Sequence, residues 1–106
     1  MDIEKIKREK FPDNNAKVLR AINMLRTHYT KIFELKYALA PEVNSAEITD
    51  SVNYLNEGGY IKLRDIDSRC EVSDFADAEP NTLEAKLTQK GIMFLNGKIN
   101  DPCIRR

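Results

Sequence analysis

The chain has 106 residues, 42% hydrophobic and 32% charged, with 17 Lys and Arg balancing 17 Asp and Glu. A chain of this length suits one domain, burying about 65% of the surface its unfolded form exposes, and its composition is far from that of a disordered chain. No apolar run approaches the roughly 18 residues of a membrane-spanning helix, and the opening Met1-Asp2-Ile3-Glu4 lacks the apolar stretch of a signal peptide, so the expected location is the cytoplasm.

Residues 1–13 read as a basic arm or short helix carrying Lys5, Lys7, Arg8 and Lys10, and Pro12-Asp13-Asn14 is expected to break it. Beyond the break, Val18, Ala21, Ile22, Leu25 and Tyr29 recur at the helical period, with Asn14 as the expected cap. A second helix is expected over residues 31–40, with Ile32, Leu35 and Leu39 inward and Phe33 and Tyr37 flanking. Pro41 ends it by removing an amide donor and restricting the residue before it. Ser45 is the expected N-cap of a third helix, on which Ile48, Ser51, Val52 and Leu55 share a face, and Gly58-Gly59 stops that helix.

The period then switches. Ile61 and Leu63 point one way and Tyr60, Lys62 and Arg64 the other, the pattern of a half-buried strand. Residues 67–82 are polar and acidic, with a short strand expected at Cys70-Glu71-Val72 and a break at Pro80. Leu83-Glu84-Ala85-Lys86-Leu87 alternates again, and Thr88 caps a last helix bearing Ile92, Phe94 and Leu95, ended by Asn96-Gly97. Ile99 and Ile104 are apolar anchors in the tail, residues 97–106. One domain is therefore expected, with its core over 14–96.

The phrase Val52-Asn53-Tyr54-Leu55-Asn56-Glu57-Gly58-Gly59-Tyr60-Ile61-Lys62-Leu63 resembles the passage from third helix to first wing strand in the winged helix-turn-helix superfamily. Leu87-Thr88-Gln89-Lys90-Gly91-Ile92-Met93-Phe94-Leu95 is similar to the phrase that opens the helix after the second wing strand. The resemblance implies an α+β fold with a three-helix core, a two- or three-stranded wing sheet and a C-terminal helix. It also implies a transcriptional regulator or accessory factor that lays its third helix in the major groove of double-stranded DNA.

The charge pattern departs from that expectation. Residues 41–80 carry three Lys and Arg against ten Asp and Glu, and an acidic surface repels phosphates. On the third helix the outward residues are Glu47, Asp50, Asn53, Tyr54 and Glu57, with no cation. Base reading would fall to Asn53 at an adenine edge and to Glu47 or Asp50 accepting from cytosine, and phosphate contact to Tyr54, although Tyr54 and Tyr60 read first as packing groups at the helix-strand corner. Attraction to DNA would come from Lys7, Arg8 and Lys10 in the arm, Lys17 and Arg20 on the first helix, and Lys62, Arg64 and Arg69 at the wing base. The alternative is a protein-interaction module in which Glu47, Asp50 and Glu57 meet a basic protein partner. A homodimer is expected, with Ile3, Ile6, Phe11 and Ile104 as anchors in the terminal segments.

No enzyme is expected. The one histidine, His28, has no motif around it and reads as a helix C-terminal residue, and Gly58-Gly59 follows a helix instead of leading into one. Cys70 and Cys103 read as free thiols with no zinc spacing, and the pair Glu47 and Asp50 is a weak metal pattern, so no metal and no cofactor is expected.

Overall fold

The computed structural model describes residues 3–24, 28–73 and 79–106, and for residues 4–8 the backbone alone. Its helices are α1 (Ile3–Asn23), α2 (Ile32–Leu39), α3 (Ser45–Glu57) and α4 (Gln89–Leu95). The strands are β1 (Thr30–Lys31), β2 (Ile61–Asp65), β3 (Glu71–Val72) and β4 (Leu83–Leu87), with a 3₁₀ turn at Pro80–Thr82. The antiparallel sheet has the order β1-β4-β2-β3, with Leu63 opposite Ala85 at its centre and Thr30 opposite Ala85 on the other side of β4. Helices α1, α2 and α3 pack together, and one core of Val18, Leu19, Ile22, Ile32, Leu35, Ile48, Val52, Leu55, Ile61 and Leu63 joins them to the sheet. The expected inward faces of α2 and α3 are the ones buried; Leu25 lies outside the described residues.

Five expectations need correction. Helix α1 runs unbroken through Pro12, although a proline inside a helix removes a hydrogen bond and costs about 3 kcal/mol. Tertiary contacts outweigh that cost: Ala16, Val18 and Leu19 are buried, and the Arg105 amide donates to the Pro12 carbonyl at 3.1 Å. Asn14 is therefore an interior residue of α1, not its cap. On α3 the N-cap is Asn44 and not Ser45, because only Asn44 has a glutamate three residues on. Its side chain accepts from the Glu47 amide at 2.8 Å, and the Glu47 carboxylate accepts from the Asn44 amide at 3.0 Å.

The strand alternation places Tyr60 outward with Lys62 and Arg64, but it is buried at 4% exposure, a packing group at the helix-strand corner. Gly59, at φ 80°, reorients the chain just before it. The Tyr60 ring then packs edge-on against Phe94, with centroids 5.9 Å apart. His28 lies beyond the end of α1 at Asn23 and is exposed, so it is not a terminal residue of that helix.

Candidate interaction surface of the third helix

The inward residues of α3 leave Ala46, Asp50 and Glu57 exposed on the opposite side, with Asn53 half-buried among them. This outer stripe carries two carboxylates and no cation. The other two outward candidates point elsewhere. Glu47 turns toward α1, where Lys10 lies 2.9 Å away and the Asn14 amide donates at 3.1 Å. The Asn44 amide, and after it the Lys10 ammonium, hold the Glu47 carboxyl below its ordinary pKa.

Tyr54 turns toward the tail. Its ring meets Phe11 edge-on at 5.4 Å, and its hydroxyl donates to Asp101 at 2.8 Å. Asp101 also accepts from the Tyr60 hydroxyl at 2.7 Å and from the Cys103 amide at 2.9 Å. Burial, reinforced by the Asp101 charge, raises both phenols: Tyr54 goes well above its ordinary value and Tyr60 up to about 12. Burial opposes ionisation of Asp101 itself, but the bonds from Tyr60, the Cys103 amide and Tyr54 prevail and its pKa is lowered. The Tyr54 hydroxyl is thus bound within the protein.

The cations divide into two groups. Lys10 is paired with Glu47, Lys17 with Glu42 at 3.4 Å, and Arg64 with the buried Glu84 at 2.5 Å. Arg64 also lies 3.7 Å above the Tyr29 ring, so its guanidinium is held from two sides. Arg20, Lys62 and Arg69 are exposed and form no ion pair among the described residues. Lys62 borders a cleft of about 460 Å³ with Asn56 and Val72, between the end of α3 and the β2–β3 ribbon. The side chains of Lys7 and Arg8 lie outside the described residues.

A larger groove of about 670 Å³ opens between α1, the first turns of α3 and the tail. It is lined by Phe11, Pro12, Asn14, Asn44, Ala46, Glu47, Asp50 and Cys103. Phe11, Asn14, Asp101 and Cys103 form one neighbourhood that the sequence does not announce. The α1 pair and the tail pair lie far apart in the chain, and no local pattern links them.

No protein-family model, curated protein or solved structure matches this chain. The helix order, the wing sheet between α3 and α4 and the C-terminal helix nonetheless define the architecture of a winged helix-turn-helix module. No described helix is long and apolar enough to cross a membrane.

Proposed function

We propose that this winged-helix chain is a non-catalytic binding module whose α3 outer face engages a protein partner rich in basic side chains. The observation that carries this reading is the exposed stripe of Asp50 and Glu57, which has no cation on it. Laid into a major groove, those carboxylates would approach phosphates in a desolvating interface, where like charges are costly unless paired. The attraction needed to offset that is reduced, because Lys10, Lys17 and Arg64 are already held by carboxylates of the same chain. A basic partner meets the same stripe with complementary charge.

A second reading, DNA binding, draws on the exposed Arg20, Lys62 and Arg69, which form no ion pair among the described residues. Fluorescence anisotropy with a mixed-sequence duplex at two salt concentrations separates the two readings. On the partner reading, the parent protein shows no duplex binding at tens of micromolar in low salt, and Asp50→Asn with Glu57→Gln shows none either. Tight binding by the parent, weakening in salt with a log–log slope near −0.9 for each phosphate contacted, would transfer the function to DNA.

A further inference from the structure

We propose that the groove between α1 and α3 is a receptor for an arginine side chain presented by a partner protein, with Asp50 as its counter-charge. This deepens the protein-partner reading and rests on it. The hydrogen-bonding character of the groove argues for a donor-rich occupant. Glu47 is already matched by Lys10 and by the Asn14 amide, whereas Asp50 is exposed and has no ion pair among the described residues.

A second, independent observation is Asn14, which lines the groove at 3% exposure. The Glu47 carboxylate fixes its amide orientation by accepting from Nδ2, which leaves Oδ1 as an acceptor with no hydrogen-bond partner. An unmatched buried acceptor is destabilising, and a guanidinium brings five N–H donors in a planar fork.

An anion is a poor occupant. The groove lining carries the carboxylates of Glu47 and Asp50 and no cation, and like charge repels an anion. The walls suit an arginine along its length. Phe11, Pro12 and Ala46 provide apolar surface for the methylene stem, and the Phe11 ring is an aromatic surface for the planar head.

Cys103 makes the test direct, because its half-buried thiol lines the groove while the exposed Cys70 lies on the wing and serves as the internal control. Iodoacetamide labelling of the full chain is followed by mass spectrometry with acetyl-tri-arginine amide as the probe and its tri-citrulline counterpart as the uncharged control. Amide chemical shifts are recorded in parallel. With the probe at roughly twice its dissociation constant, Cys103 labelling should slow about threefold while Cys70 is unchanged.

Asp50→Asn, an exposed substitution that leaves the fold intact, should abolish most of that protection. Equal protection by the citrulline peptide, or full protection in Asp50→Asn, would overturn the proposal. If the probe shifts the amides of Asp50 and Glu57 but leaves Cys103 labelling unaltered, the groove proposal falls and the partner reading of α3 stands. Neither protection nor shifts at millimolar probe would remove both.

Discussion

Asp101 gathers two tyrosine hydroxyls and a backbone amide onto one carboxylate, joining α3, the start of β2 and the tail. Its lowered pKa, and that of Glu47, mean that the folded state binds fewer protons than the unfolded state just below the ordinary carboxylate range. Their stabilisation is fully present above about pH 4 and is lost as pH falls through the folded-state values. The raised phenol of Tyr60 acts at the other end of the pH scale. Its contribution is complete below about pH 10 and is lost as pH rises toward its folded value of about 12. Denaturant melts across pH should therefore weaken at both extremes, and Asp101→Asn should flatten the acid limb while lowering stability at neutral pH. An unchanged acid limb in that variant would assign the effect to other carboxylates.

Gly91 is a second residue-scale constraint. A Cβ there would sit 2.2 Å from the Tyr60 carbonyl oxygen, a backbone atom that cannot move aside alone. Gly91→Ala should cost about 1–3 kcal/mol in a urea melt, as overpacking does. The sequence displayed this glycine within the phrase after β4, but the close approach that demands it belongs to the packing of α4 on β2.

At the scale of elements, the cap of α3 provides a comparison between adjacent residues. Asn44→Ala removes the side-chain half of a capping box and should destabilise by about 1 kcal/mol, whereas Ser45→Ala should change stability by less than about 0.5 kcal/mol. Parallel thermal or urea melts of the two variants check this, and a larger loss at Ser45 would return the cap to that residue. The necessary signal was present in the sequence, since an Asn followed three residues later by a Glu is itself a capping pattern. Other elements were legible because their signals are local: the helical period over α2 and α3, the strand alternation of β2, and Thr88 accepting from the Gly91 amide at the start of α4. Strand β1 was not legible, since two residues, Thr30 and Lys31, are too few for alternation to register. Proline's local cost points to a break in α1, and only the tail that packs against the helix overrides it.

At the scale of the whole molecule, the tail belongs to the core. Ile104 is 2% exposed, Asn15 donates to the Cys103 carbonyl at 2.8 Å, and Arg105 pairs with Asp13 at 2.6 Å. Two of the anchors expected to clasp another subunit are engaged within the chain, Ile104 in the core and Phe11 against Tyr54. Ile104→Ala should accordingly cost about 2–5 kcal/mol, the range for truncating a buried isoleucine. The unfolding midpoint should not depend on protein concentration. A midpoint that rises with concentration, together with a light-scattering mass above 12.2 kDa, would instead mean that assembly contributes to stability.

The sequence by itself determined the order of the helices and of β2, β3 and β4, and most inward faces, because side-chain periodicity, caps and glycine stops act over a few residues and survive translation into three dimensions. Tertiary structure alone decided which charges remain available to a partner. Lys10 and Glu47 lie 37 positions apart, and Asn15 and the Cys103 carbonyl 88, so only the packing of α1 against α3 and the tail brings them within hydrogen-bonding distance. Coulombic and hydrogen-bond energies depend on separation in space, which local sequence patterns do not encode. The same packing withdrew Glu47 and Tyr54 from the outer face of α3 and left Asp50 and Glu57 as its exposed charge.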